Sequence, residues 1–236
     1  MLATTPNDAR PRGAARREAL LDAVLRVVAE AGADAVTHRR VADVAGLPLA
    51  STTYWFQSKE HLLTAAFERA ADRDIERLRA DLGDAPERAP DPVGLAVSAI
   101  LGPSNDFGKA PPSGAAAENP EAPPSGAAAE NPIPTSRGWL LATYALMLEA
   151  ARRPALREVT ERWTDAYLEM LPPLLAAAGS RHPRADAALL LAAADGLLID
   201  QLASGHASAE APPSGAADHL DLGPQLRRLA DALVKA

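Results

Sequence analysis

The stretch from Val36 to Leu63, VTHRRVADVAGLPLASTTYWFQSKEHLL, constrains the fold more than any other part of the chain. Thr37 precedes a short apolar-periodic run, His38 to Ala45, and is placed to cap it as a helix. Gly46 then supplies the left-handed backbone that a tight helix–helix turn needs. Leu47 plugs the space between the helices. Pro48, a residue favoured in a first turn, opens a second short helix that ends near Phe56. Gln57 and Ser58 form the next turn, and Ser58 caps a further helix with Glu60 and His61 in its first turn. Two short helices around a tight turn, with a third following at once, form a unit in which one helix can enter the major groove of DNA.

The remainder also reads as helical, so the fold class is all-α. Of 236 residues, 47% are apolar, chiefly Ala and Leu, and only 4% are aromatic, with no alternating β-branched runs. Residues 1–11 read as a disordered arm. A first helix, Arg12–Ala31, carries the stripe Ala19, Leu20, Ala23, Val24, Val27, Val28 and Ala31, and Arg26 falls on its polar surface. The helix capped by Ser58 continues to about Leu82, residues 83–92 form a linker, and Pro92–Leu101 is one short helix. APPSGAAAENP occurs at Ala110–Pro120 and again at Ala122–Pro132, and EAPPSGAA recurs at Glu210–Ala217. Segments this short and rich in Pro, Gly, Ser and Ala cannot bury a core, so 102–136 and 204–222 are expected to be loops. Further helices are expected at Trp139–Ala151, Pro154–Ala178 (broken or kinked at Pro172-Pro173), Arg184–Ala203 and Pro224–Ala236. Arg184–Ala203 is apolar on nearly every side, which implies burial on more than one face and suggests a second subunit. The last helix carries Leu226, Leu229, Ala230 and Leu233 on one stripe.

Charge and residue types exclude several functions. Cysteine is absent, which removes disulfides, thiolate nucleophiles and Cys-ligated zinc. The first residues contain no apolar signal segment, and the longest apolar run, Ala187–Ile199, is broken by Asp195 and Gly196, so a cytoplasmic protein without a membrane span is expected. The five histidines are scattered, and no phosphate-binding Gly-rich loop or nucleophile elbow is present, so neither an enzyme nor a cofactor is expected. Net charge is −7, but residues 1–60 hold eight Lys and Arg against seven Asp and Glu, and the remainder sixteen against twenty-four. Arg10, Arg12, Arg16 and Arg17 cluster before the first helix. This split suits a DNA-reading head on an acidic body.

The residues Thr37–Leu63 resemble the N-terminal helix-turn-helix of the TetR family of transcriptional regulators. The likeness rests on Ala42, Ala45-Gly46-Leu47 at the turn, Tyr54 and Phe56, Ser58-Lys59-Glu60 and Leu62-Leu63. It implies a DNA-binding head at 12–67 and a helical domain at 68–236 that binds a small-molecule effector. It also implies a homodimer, formed through the last two long helices, on a palindromic double-stranded DNA operator. Ser51-Thr52-Thr53-Tyr54-Trp55-Phe56 departs from the Thr-Leu-Tyr-x-His-Phe of many members.

Chemistry assigns roles within that stretch. Ser51, Thr52 and Thr53 can bond base edges or phosphates, and Leu49 and Ala50 can touch a thymine methyl. The Tyr54 phenol can reach a phosphate. Lys59, at a helix N-terminus, contacts the backbone, with Thr37, Arg39 and Arg40 from the preceding helix. No Arg, Asn or Gln stands on this helix before Gln57, so indirect or water-mediated readout is expected to contribute. Trp55 is expected to pack between helices rather than touch DNA.

Trp139, Tyr144, Met147, Trp163, Tyr167 and Met170 concentrate the body's large side chains on two consecutive helices and are candidates to line a ligand cavity. Glu149 and Asp165 nearby would favour a cationic effector. Two alternatives are a protein-interaction module acting through the repeat loop, with degenerate DNA binding, and a small helical enzyme. A regulator of this kind is expected to repress.

Overall fold

A computed structural model of the chain describes residues 11–83, 88–106, 136–204 and 222–235. The expected arm, the repeats at 110–132 and 210–217 and most of the two expected loops lie outside these residues. The described residues form ten α-helices and no strand: α1 (Pro11–Ala31), α2 (His38–Ala45), α3 (Leu49–Trp55), α4 (Lys59–Leu82), α5 (Pro92–Asp106), α6 (Ser136–Ala150), α7 (Pro154–Met170), α8 (Pro172–Ala177), α9 (Pro183–Ser204) and α10 (Gly223–Lys235). A short 3₁₀ turn, Ala33–Ala35, joins α1 to α2. α5 runs to Asp106, so residues 102–106 are helical where a loop was expected.

Local chemistry accounts for the head. The Thr37 side chain accepts a hydrogen bond from the Arg40 amide at 3.1 Å, and Ser58 accepts from the His61 amide at 3.1 Å. Each satisfies an amide that a helix start would leave without a partner. Gly46 adopts φ 64°, ψ 30°, and the Leu47 amide reaches back to the Ala42 carbonyl at 3.0 Å, which reverses the chain within one residue. Val36, Val41, Phe56, Leu62, Leu63 and Phe67 are fully or almost fully buried beneath α3.

α1 is the centre of this head. It packs against α2 and α4, and also against α6 from the distant part of the chain. Leu21 and Leu25 are therefore buried alongside the expected stripe. Arg26 is not a surface residue as expected. It is half-buried, and its guanidinium donates to the Val44 carbonyl at 3.3 Å, tying α1 to α2. Burial lowers its pKa, partly offset by Asp22 and Glu30. Arg69 of α4 pairs with Glu18 and with Asp22 at 2.6 Å, clasping α4 to α1.

In the body, α4 packs on α7, α6 on α7, α5 on α8 and α10, and α9 on α8 and α10. Pro172-Pro173 breaks the long segment at Leu171 into α7 and α8, because neither proline can donate an amide to the preceding turn. One hydrophobic core runs from Leu20 to Ala230 without interruption. The expected boundary at residues 67/68 falls inside α4, which passes from head to body as a single helix. No helix among the described residues is long and apolar enough to cross a membrane.

Candidate nucleic-acid interface and ligand cavity

α3 rests on the head core through Phe56 just beyond its end and through Thr52. Thr52 lies four residues before Phe56, hence on the same helix side, and both are buried. Its hydroxyl donates to the Leu49 carbonyl at 2.8 Å, so the buried oxygen is satisfied within the helix. Thr52 is therefore a core residue, which corrects its assignment as a DNA contact. The opposite side of α3 presents Leu49, Ala50, Thr53 and Tyr54 to solvent, with Tyr54 78% exposed, and Ser51 is half-buried. This face carries methyls, one threonine hydroxyl and one phenol, and no charge. Trp55 is half-buried, lies against the start of α1 at Gly13, and meets Tyr54 edge-on with centroids 5.0 Å apart. That position agrees with a packing role.

The flanking cations divide into engaged and open groups. Thr37 and Arg39 are exposed, and Arg40 is half-buried with Glu30 4.0 Å away. The Lys59 ammonium donates to the Asp34 carbonyl at 2.9 Å and lies 3.6 Å from its carboxylate. It links the start of α4 to the 3₁₀ turn, and a phosphate contact would compete with this link. Asp34 is almost fully exposed, so the exchange costs little. Arg17 holds its guanidinium 5.8 Å from the Phe56 ring centre, a packing position, whereas Arg16 is exposed. Arg10 lies outside the described residues.

The second site is a cavity between α4, α5, α6, α7 and α9, of about 70 Å³. Five of the six candidate residues line it: Trp139, Tyr144 and Met147 from α6, Trp163 and Tyr167 from α7. Met170 does not; it is half-buried and packs against the core near the end of α7. The acidic residues named from the sequence are also elsewhere. Glu149 pairs with Arg153 at 2.9 Å, and Asp165 faces surface grooves. The carboxylates in the cavity wall are Asp74 and Asp195, joined by Thr143 and Thr164. The sequence held a signal for each. Asp74 interrupts the buried stripe of α4 between Ala70 and Leu78, and Asp195 interrupts the most apolar run of the chain.

The two aspartates differ in their surroundings. Asp74, 1% exposed, accepts from Trp163 Nε1 and the Tyr167 hydroxyl at 2.7 Å each, and from Arg77 at 2.8 and 3.0 Å. Arg77 also reaches the Ala99 carbonyl at 2.9 Å and Asp81 at 2.5 Å. Burial pulls the Arg77 pKa down, but Asp74, Tyr167 and Asp81 together leave it raised. Burial and the Asp74 charge push the Tyr167 phenol far up, so it remains a donor. Asp195 accepts one bond from the Tyr144 hydroxyl at 3.0 Å. Burial raises its pKa, and the Tyr144 bond opposes that only in part. Burial, with Asp195 beside it, likewise raises Tyr144. Trp139 and Trp163 stand with centroids 6.0 Å apart, and Trp163 and Phe67 5.6 Å apart, so an aromatic chain links the cavity to the head core.

Comparison with known proteins adds an independent line. Residues 129–236 match the family described as "Tetracyclin repressor-like, C-terminal domain". No curated protein sequence matches the chain. Among solved structures, a TetR-family member from Streptomyces coelicolor A3 is 26% identical, covers 92% of this chain and 97% of its own, and superposes with a TM-score of 0.60. The multidrug-binding protein EbrR in complex with ethidium is 25% identical over 92% of this chain and 97% of its own, with a TM-score of 0.55. A transcriptional regulator from Rhodococcus sp. Rha1, 24% identical over 93% of this chain and 94% of its own, has the same fold with a TM-score of 0.61.

Proposed function

We propose that the chain is a ligand-responsive repressor of the TetR family, a reading supported by the C-terminal family match and by the TetR-family structure that superposes on it. It binds a palindromic operator as a homodimer and leaves it when a small molecule fills the cavity between α4, α5, α6, α7 and α9. The family is one of regulators rather than enzymes. The observation that carries the reading is that α4 belongs to both sites. It starts with Lys59 beside α3 and carries Asp74 in the cavity wall, fifteen residues or roughly 22 Å along the axis.

On the DNA side, Leu49, Ala50, Ser51, Thr53 and Tyr54 face the major groove. Thr37, Arg39, Arg40 and Lys59 take the phosphates, fixing register while carrying little sequence information. Leu49 and Ala50 read thymine methyls, and the uncharged face of α3 leaves a share of specificity to DNA shape. On the ligand side, Trp139, Tyr144, Met147, Trp163 and Tyr167 form the walls. EbrR, solved with ethidium and with proflavin, supports a small-molecule role for this region. α6 lines the cavity and packs on α1, so an occupant that parts α6 from α4 alters the seating of the head. A ligand releases DNA only to the extent that it binds the parted form better.

Dimerisation through α9 is supported by its outward face. Ala185, Ala188, Leu189, Ala192, Gly196, Ile199 and Ala203 are exposed and recur at helical spacing, and small residues let a second helix approach closely. α10 turns Leu226 and Ala230 inward against α5 and α9, and Arg227 bonds Asp91 at 2.5 Å, so it braces α9. Selecting duplexes from a random pool tests the whole reading. The enriched sequences should contain two inverted half-sites about one helical turn apart and bind two protomers. Purified protein that enriches nothing above nonspecific affinity would overturn it.

A further inference from the structure

Asp195 is a carboxylate of the cavity wall whose charge the fold leaves without a cationic partner among the described residues. Asp74 faces Arg77 and two further donors, whereas the hydrogen bond of Asp195 comes from the neutral Tyr144 hydroxyl. Among the described residues no Lys, Arg or His lines the cavity. Asp195 is half-buried, and a carboxylate drawn partly out of water without a countercharge is disfavoured; the apolar neighbours Leu191 and Leu198 offer no compensation. Thr143, one residue before Tyr144 on α6, also lines the cavity. Its side chain is 5% exposed, and its hydroxyl oxygen is buried without a hydrogen-bond partner. The rest of the wall is aromatic: Trp139, Tyr144, Trp163 and Tyr167 present ring surfaces, which attract cations.

Resting on the cavity being the effector site, we propose that its occupant is an organic ammonium cation bearing at least one N–H. The positive charge sits against Asp195 and the aromatic rings, and the N–H donates to Thr143 or to the free capacity of the Asp195 carboxylate. A half-buried carboxylate bonded by a neutral phenol and an unpartnered threonine hydroxyl both line the cavity, and each can accept from the N–H of a protonated amine. The free space of about 70 Å³ suits a compact group, because a single water needs roughly 10–15 Å³ by the same kind of measure. The approach runs between α6 and α7. Met147 and Thr164 line both the cavity and an outer groove whose rim carries Glu161 and Asp165 with Arg157. Acidic side chains thus outnumber basic ones along the entry.

The test uses the full-length protein and three probes of one shape: benzylammonium, benzyltrimethylammonium and benzyl alcohol. Binding is read by the fluorescence of Trp139 and Trp163 and by calorimetry. Wild-type protein should hold benzylammonium about tenfold more tightly than benzyl alcohol, the difference a charge-assisted bond makes over a neutral one. Asp195→Asn should bring that ratio to about one while benzyl alcohol still binds. Glu149→Gln, which removes a carboxylate outside the cavity, should keep it. A ratio near one in the wild type, or one that survives Asp195→Asn, overturns the cation assignment while leaving the cavity as a ligand site. Equal binding of benzyltrimethylammonium and benzylammonium overturns the N–H requirement. If none of the three perturbs the wild-type signal at any attainable concentration, the cavity reading itself fails, and the assignment with it.

Discussion

The two faces of α4 serve opposite ends of polarity. At its start, the head buries apolar side chains and offers DNA an α3 surface with no charge, flanked by cations at the rim. Half-way along, the body buries charge, with Asp74, Arg77, Trp163 and Tyr167 in one bonded network, while Asp195, half-buried in the same cavity wall, accepts from the neutral Tyr144 hydroxyl. The difference teaches where each site keeps its specificity. The head can change its exposed residues with little effect on stability, because they hold nothing together. The body cannot, because the residues that shape its cavity also satisfy one another.

That contrast can be broken most severely in the body. Asp74→Ala leaves Arg77 buried without its main countercharge and strips Trp163 and Tyr167 of their acceptor. The expected cost is about 3–5 kcal/mol, or roughly 10 °C in midpoint, measured by thermal unfolding. A loss below about 1 kcal/mol would mean the network is not structural. Ala50→Glu tests the head in the opposite sense. Ala50 is exposed in the first turn of α3, where an acidic residue suits the helix dipole, so thermal stability should hold within about 0.5 kcal/mol. A carboxylate facing the groove should nevertheless weaken DNA binding a hundredfold or more, since like charges juxtaposed cost several kcal/mol. Lys59→Ala comes next. It should weaken binding to all duplexes alike, about tenfold, and reduce the salt slope by about one. A changed sequence preference would contradict the phosphate assignment. The smallest effect belongs to Asp195→Asn without ligand. The folded-state pKa of Asp195 is raised, so its ionised form opposes folding at neutral pH. That opposition fades as pH falls through the folded-state pKa, where the side chain takes up its proton. The amide should therefore raise the midpoint by a few degrees at pH 7.5 in a thermal melt, and the gain should shrink in acid.

Much of the head was legible because its signals are local. Thr37, Gly46, Pro48 and Ser58 each act within four residues, and helices α2, α3 and α4 lie where those residues place them. Thr52 was misassigned because three adjacent hydroxyls look alike. Their helix phase relative to Phe56 separates them, and that phase was readable. The second buried face of α1 was not, since Leu21 and Leu25 lie off the expected stripe and α1 packs on α6, a helix more than a hundred residues away, as well as on α2 and α4. The cavity was half legible for the same reason. Aromatic residues on α6 and α7 announced it, but its carboxylates come from α4 and α9, and only packing brings five helices to one point. Glu149 and Asp165 lie on the right helices, α6 and α7, but away from the cavity wall. Met170 missed the cavity by falling at the end of α7, one residue before the Leu171 break.

The central claim is that the uncharged face of α3 reads DNA. Fluorescence anisotropy of a labelled duplex enriched from a random pool, titrated with wild-type and Ala50→Glu protein across a salt series, tests it most directly. Wild-type affinity should be well above that for an unrelated duplex and should fall linearly with the logarithm of salt, while Ala50→Glu, equally folded, should lose the preference. Wild type and variant binding both duplexes alike would contradict the account.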